Sequence, residues 1–121
     1  MNDNIEEYLE RGIYGVKETK TEERTRFLTA LRERVEIALK KGQVMREKPY
    51  PEVTGKMEKV QNGHLYLNGN LDYRFLSKYI KTANDTKVPF TIVQNQEADT
   101  DIGLVLTGSQ GSEGKEIFIE E

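Results

Sequence analysis

The chain has 121 residues, no cysteine, and 18 Lys and Arg against 21 Asp and Glu, for a formal net charge of −3. This composition excludes disulfides, thiolate metal sites and cysteine nucleophiles, and the negative charge argues against indiscriminate nucleic-acid binding. No apolar run approaches the roughly 20 residues that a membrane helix needs, so we expect a cytoplasmic protein with no membrane partner.

The first third of the chain predicts an arm followed by a long helix. Residues 1–20 contain no segment able to stand alone and are expected to form an N-terminal arm packed on a single α/β domain over residues 21–121. Apolar residues recur at helical spacing over residues 21–41, which predicts an amphipathic helix. The repeating positions are Leu28, Leu31, Val35 and Ala38.

The middle of the chain alternates between strand-like and helix-like patterns. The predicted elements are a short strand at 43–46, a helix at 52–60, a strand at 64–67 and a helix at 71–83. Residues 88–93, VPFTIV, are apolar almost throughout and predict a strand covered on both faces, with Phe90 in the core. Residues 102–106, IGLVL, predict a second such strand, and residues 116–119, EIFI, a closing edge strand.

These elements predict an α+β fold with three layers, α/β/α. Strand, helix and strand over residues 64–93 form a βαβ unit, whose two strands should be adjacent and parallel. A strand that is apolar on both sides needs cover on both faces, and the helices at 21–41 and 71–83 are the predicted cover. We therefore expect a mixed sheet of three to five strands with helices on both faces.

Charge is distributed unevenly along the chain. Residues 42–96 carry eight Lys and Arg against five Asp and Glu, a net +3, whereas residues 97–121 carry one Lys against seven acids, a net −6. A basic middle and an acidic end could orient the protein towards a charged partner, or could simply keep its surface soluble.

The most informative junction is LNGNLDYR, where the strand at 64–67 gives way to the helix at 71–83. In open sheets, ligands bind beyond the carboxyl ends of parallel strands, and a helix start offers unpaired N–H groups. Gly69 can adopt a positive φ and allow close approach to the backbone. The candidate ligand-binding residues are Asn68, Gly69, Asn70, Asp72, Tyr73 and Arg74, and the ligand they suit is small and either anionic or carbonyl-bearing.

Ordinary turn chemistry explains the same junction. Gly69 can make the turn, and Asn70 or Asp72 can cap the first turn of the helix. Asp72 also supplies the negative charge that a bound phosphate would bring to the helix start. Both interpretations remain open at the level of sequence.

The residues that usually carry catalysis are sparse. His64 is the single histidine, so no catalytic triad with a spare base is predicted. The acidic loop of Glu97, Asp99 and Asp101 lacks the further ligands of an EF-hand, so no metal and no cofactor is predicted. The pattern favours a non-catalytic domain that binds a small anion or a protein; structured RNA and an enzyme of unknown reaction are the alternatives, with RNA disfavoured by charge.

The sequence resembles the YueI-like family, small uncharacterised proteins of Gram-positive bacteria. The stretches that carry the resemblance are YLERGIYG, ERTRFLTALRERVEIAL, LYLNGNLDYRFLSKYIKTAN, VPFTIV and DIGLVL. This resemblance implies a fold and no particular activity. A more distant similarity, in the order of the strand, polar turn, helix and Pro-aromatic strand, is to kink-turn-binding ribosomal proteins. Where those proteins grip RNA with a Gly-Asn-Glu segment, this chain has Pro49-Tyr50-Pro51-Glu52.

Overall fold

The computed structural model of the chain describes residues 26–94, 98–109, 111 and 116–120, so the predicted arm over residues 1–20 lies outside the described residues. Seven elements follow a 3-10 turn at Arg32–Arg34. They are β1 (Val35–Lys40), α1 (Lys41–Val44), α2 (Pro51–Lys59), β2 (His64–Asn68), α3 (Tyr73–Thr86), β3 (Phe90–Val93) and β4 (Ile102–Thr107). In this part of the chain, no helix combines the length and apolarity needed to cross a membrane.

The four strands form one mixed sheet in the order β1-β4-β2-β3. β2 and β3 are parallel, with Leu65 opposite Phe90 and Asn68 opposite Val93. β4 is antiparallel to both of its neighbours, β1 and β2. The β2-α3-β3 segment is therefore the predicted βαβ unit, and the predicted α+β class with a mixed sheet is confirmed.

β4 is the strand buried most completely. All six of its residues are buried, because it lies between two strands and both of its faces are covered. Its side chains are divided between two apolar clusters, with Leu104 and Leu106 in one and Ile102 and Val105 in the other. The apolar run over residues 102–106 thus reflects cover on both faces, as predicted.

Helices α2 and α3 pack on the same face of the sheet. The cluster on this face contains strand residues Ile37, Leu39, Leu65, Leu67, Leu104 and Leu106 and helix residues Val53, Met57, Leu76, Tyr79, Ile80 and Ala83. Within the described ranges, the opposite face is covered by residues outside helices α1 to α3. These covering residues are Phe27, Leu28, Ala30, Ala98 and Ile117.

The predicted helix over residues 21–41 is wrong for the residues that the structure describes. Leu28 and Thr29 have φ values of 55° and 75°, which a right-handed helix does not allow. Residues 35–40 form β1, whose register shifts between Val35 and Ile37. Because both faces of β1 are buried and the irregularity turns Val35 to the opposite side from Ile37, its apolar residues imitate a helical stripe. The second helical layer assigned to this segment is therefore replaced over residues 26–40 by turns and a strand.

Three smaller predictions also differ from the structure. Residues 43–46, predicted as a strand, include the end of the single helical turn α1. The predicted edge strand at 116–119 is reduced to one parallel bridge between Ala38 and Phe118. β3 is an edge strand with Thr91 exposed and Phe90 only partly buried, so the expected cover of VPFTIV on both faces is wrong.

Candidate functional site

The junction between β2 and α3 lies where the two parallel strands end together. Asn68 is the last residue of β2 and is paired with Val93, the last residue of β3. The N–H of Gly69 donates to the Val93 carbonyl oxygen at 2.7 Å, which extends the pairing one step beyond the strands. The six candidate residues are therefore at the carboxyl end of the βαβ unit, the position expected from the sequence.

Asn68 is committed to internal hydrogen bonds. Its side chain is fully buried, and Nδ2 donates to the carbonyl oxygens of Ala98 at 3.0 Å and Ile102 at 2.9 Å. Its Oδ1 accepts a hydrogen bond from the Asn70 N–H at 2.9 Å. Because a primary amide has only two N–H donors, both donors of Asn68 hold the 98–102 loop against the end of β2 and are not available to a ligand.

Asn70 is exposed but faces the same loop. Its Nδ2 donates to the Ala98 carbonyl oxygen at 3.3 Å, so this carbonyl accepts hydrogen bonds from both asparagines. The sequence did not reveal the loop as the partner of the junction, because a backbone carbonyl about 30 residues away leaves no side-chain signature. The two amides thus organise a turn and a loop.

Gly69 is required for close packing rather than for an unusual backbone angle. Gly111 is the glycine with positive φ among the described residues, so the predicted positive φ at Gly69 is wrong. A Cβ at Gly69 would lie 2.8 Å from Ile92 Cγ2 and 2.9 Å from the Val93 carbonyl oxygen. The close approach predicted for this glycine is made by the neighbouring strand β3.

We predict that Gly69→Ala lowers the free energy of unfolding by about 1–3 kcal/mol, the usual cost of overpacking. The new methyl group would have to displace the end of β3. Gly55→Ala is the matched control, because no atom beyond its chain neighbours and the backbone of its own helix lies within 4 Å of the added Cβ and alanine is favoured over glycine within a helix by about 0.5–1 kcal/mol. Urea denaturation of both variants should show opposite signs, and destabilisation by Gly55→Ala would contradict this account.

The first turn of α3 presents the remaining three candidates to solvent. Asp72 occupies the N-cap position without a side-chain capping hydrogen bond, so the predicted cap is not made there. Its Oδ2 lies 3.6 Å from Arg74 Nε in an exposed ion pair. Tyr73 is 61% exposed, and the Arg74 guanidinium carbon lies 4.6 Å from the centre of the Phe75 ring. These groups form an accessible surface above the buried junction.

Lys78 attaches this turn to the end of α1. Its Nζ donates to the carbonyl oxygens of Val44 and Phe75, both at 2.7 Å. Partial burial lowers the pKa of the Lys78 ammonium below its ordinary value, because desolvation penalises the charged form. Met45 directly follows Val44 and is 46% exposed; it and Tyr73 are the exposed large hydrophobic residues of the described ranges. Met45 and Tyr73 therefore belong to two segments that the Lys78 ammonium group joins. The sequence did not reveal this relation.

His64 lies at the other end of β2, away from the junction. Its Nε2 is 2.8 Å from Thr91 Oγ1, and its ring stacks on Tyr66 at a centroid distance of 4.5 Å. Partial burial lowers the pKa of the imidazole below its ordinary value. Among the residues that the structure describes, no group of three or more His, Asp or Glu is arranged to hold a metal ion.

Two surface cavities lie away from the candidate residues. One has a volume of about 650 Å³ and is lined by Lys40, Gly42, Gln43, Arg46, Glu116, Phe118 and Ile119. The other has a volume of about 330 Å³ and is lined by Glu36, Lys56, Lys59, Val60, Gln61 and Ser109. Neither of these two cavities is lined by residues 68–74.

Comparisons with known proteins agree with this architecture. The family DUF1694, described as "Protein of unknown function", matches residues 2–118. The chain is 41% identical over 119 residues to "Uncharacterized protein YueI" of Bacillus subtilis (strain 168), covering 98% of this chain and 90% of that protein. The crystal structure of the YueI protein from Bacillus subtilis is similar with a TM-score of 0.80 at 41% identity, over 97% of this chain and 91% of that one. These comparisons do not show the similarity to kink-turn-binding proteins.

Proposed function

We propose that this chain, which belongs to the DUF1694 family of proteins of unknown function, is a non-catalytic binding domain that contacts a partner protein through the first turn of α3. The observation that carries the proposal is the exposure of Tyr73, 61% of which is open to solvent on an otherwise tightly bonded junction. Tyrosine and arginine are enriched in protein interfaces, and Tyr73 and Arg74 adjoin each other here.

The surface around Tyr73 is held in place before any partner arrives. The Arg74 guanidinium lies over the Phe75 ring, and Lys78 fixes the Phe75 carbonyl to the end of α1. A preorganised surface loses little conformational entropy on binding, which favours affinity. Met45, on the segment that Lys78 joins to α3, adds a flexible apolar side chain suited to protein contacts.

The charge of the segment that contains this surface favours an acidic partner. Residues 42–96, which contain all of these side chains, carry a net +3. The exposed pair between Asp72 and Arg74 is of the kind worth about 0–1 kcal/mol, so a partner carboxylate can compete for Arg74 at little cost. A small anionic ligand at residues 68–74 stays a prediction; with both Asn68 donors used internally, Arg74 is the candidate residue that would hold its charge.

The other two functions considered from the sequence have less support. In a kink-turn-binding protein, the segment that contacts the RNA would correspond to residues 49–52. Here the Tyr50 N–H donates to the Tyr79 hydroxyl, and Pro51 begins α2. That backbone takes part in internal packing, and a surplus of +3 offers few cations for the several phosphate contacts that an RNA backbone requires. For an enzyme, the one histidine of the sequence, His64, is hydrogen-bonded to Thr91 at the far end of β2 from the junction.

The proposal is tested by placing a photo-crosslinking amino acid at position 73 and, as the control, at exposed Asn84 on the last turns of α3. We expect a discrete protein adduct from position 73 alone. With the captured partner purified, Tyr73→Ser should weaken binding about tenfold or more, as truncation of an interface anchor does, and Asn84→Ser should leave the affinity unchanged. Equal adducts from both positions, or equal affinities for both serine variants, would refute a contact surface at Tyr73.

A further inference from the structure

The larger cavity lies at the sheet edge formed by β1, between the β1-α1 connection and residues 116–119. We propose that it is a binding site for a small organic anion whose charged head group, carboxylate or phosphate ester, is attached to an apolar body. Its volume of about 650 Å³ falls within the range of roughly 300–1,000 Å³ that is usual for small-molecule sites.

Internal hydrogen bonds fix the two walls of the cavity relative to each other. Gln43 is only 6% exposed; its Oε1 accepts from the Lys40 N–H at 2.9 Å and its Nε2 donates to the Ile119 carbonyl oxygen at 2.8 Å. The Ala38 N–H also donates to the Ile117 carbonyl oxygen at 2.9 Å. One buried glutamine therefore connects the end of β1 with the last described segment, and the opening between them is built into the fold.

The charges at the cavity favour an anion. Its lining contains two cations, Lys40 and Arg46, and one acid, Glu116. Asp101 also faces Lys40, with 3.5 Å between Oδ2 and Nζ, but the two side chains are 54% and 58% exposed. An ion pair between two side chains that exposed stabilises the fold little, so an incoming oxyanion can draw the Lys40 ammonium inward at small cost.

The apolar wall of the cavity would contact the apolar body of the ligand. Phe118 and Ile119 are partly buried and line the cavity. Lys40 Nζ lies 5.4 Å and the Arg26 guanidinium carbon 5.7 Å from the centre of the Phe118 ring. Two cationic groups therefore lie close to one aromatic ring, which is the arrangement that an anionic head on an apolar body would complete.

The smaller cavity does not offer this combination. Two lysines, Lys56 and Lys59, and Glu36 line it, but its only apolar side chain is Val60. The carboxylate of Glu36 accepts a hydrogen bond from the Gly111 N–H at 3.0 Å, which commits it to the loop. The smaller cavity therefore provides a matched control, since a lysine can be removed from it with the same change in net charge.

The experiment is an amide chemical-shift titration of the intact chain with three probes of similar size. Phenylacetate and phenyl phosphate carry the two head groups, and phenylacetamide is the neutral analogue. We expect saturable shifts from one or both anions at residues 40–46 and 116–119, and none there from the amide. Whether the carboxylate or the phosphate binds more tightly identifies the head group.

Lys40→Met should weaken binding of the preferred anion about tenfold, as expected for loss of a charge-assisted contact. Lys59→Met should leave the affinity unchanged, and thermal unfolding of both variants checks that they are folded. Equal binding of phenylacetamide, equal loss from both methionine variants, or shifts confined to residues 67–75 would overturn the proposal. The last outcome would disprove the cavity as the binding site without contradicting a contact surface at Tyr73. The two proposals can therefore be refuted independently of each other.

Discussion

Asn68→Asp should lower the free energy of unfolding by about 3–5 kcal/mol near neutral pH, the range for leaving a buried charge without a partner. The substitution replaces the Nδ2 donor with an oxygen that faces the carbonyl oxygens of Ala98 and Ile102 at about 3 Å. Two hydrogen bonds become two repulsive contacts in a fully buried position. Urea denaturation gives the loss as a lower midpoint with little change in slope.

The pH dependence of the same variant identifies the cause. Burial among carbonyl oxygens raises the pKa of the new carboxyl above its unfolded value, so the folded state binds the proton more tightly. The stability deficit of the variant should therefore shrink as the pH falls from about 7 towards the unfolded value of about 4. Asn70→Asp is the control, since Asn70 is exposed and contacts the same Ala98 carbonyl. Equal deficits in the two variants would show that the buried clamp at Asn68 is unimportant.

Tyr79→Ala should lower the free energy of unfolding by a comparable amount, about 3–5 kcal/mol, as large-to-small changes at buried aromatic positions do. Tyr79 is fully buried on α3, and its hydroxyl accepts a hydrogen bond from the Tyr50 N–H at 3.0 Å. Tyr79→Phe keeps the ring and removes that acceptor, for an expected loss of about 1–3 kcal/mol. The loss of stability in Tyr79→Phe measures the hydrogen bond that fixes the start of α2. The further loss in Tyr79→Ala measures the packing of the ring.

Phe90→Ala is the comparison for Tyr79→Ala. The sequence placed Phe90 in the core, where its loss would match that of Tyr79. In the structure it is partly buried on the edge strand β3, so we expect a smaller loss of about 1–2 kcal/mol from the area it removes from water. A cost for Phe90→Ala equal to that of Tyr79→Ala would contradict this description of the sheet edge.

Local patterns predicted the βαβ unit well, because its signals are short in range. The strand at 64–67 and the helix at 71–83 correspond to β2 and α3 with small shifts at their ends. The failure at residues 21–41 has a physical cause that no local pattern reveals. Ile37 and Leu39 face one apolar cluster and Val35 and Ala38 the other, and burial on both sides of β1 removes the alternation that normally identifies a strand.

The position of the candidate residues in the fold could be predicted from the sequence, but the contacts that they make could not. Strand ends and turn residues mark the junction in the sequence. The partners of Asn68 are backbone carbonyls 30 and 34 residues away, and every residue type supplies a carbonyl. The same applies to Lys78, which joins α3 to Val44 through backbone oxygens. Side-chain patterns therefore located the strand-to-helix junction, and tertiary contacts divided it into a buried clamp and an exposed surface.

The strand order has a consequence for the synthesis of the protein on the ribosome. β4 separates β1 from β2 in the sheet yet follows both in the chain. While residues 41–101 are being translated, which takes several seconds at about 5–20 residues per second, β1 has no described strand to pair with and β2 lacks one neighbour. Exposed strand edges of this kind invite pairing with other chains. The nascent chain therefore passes through an interval of aggregation risk that ends only when residues 102–107 emerge and close the sheet.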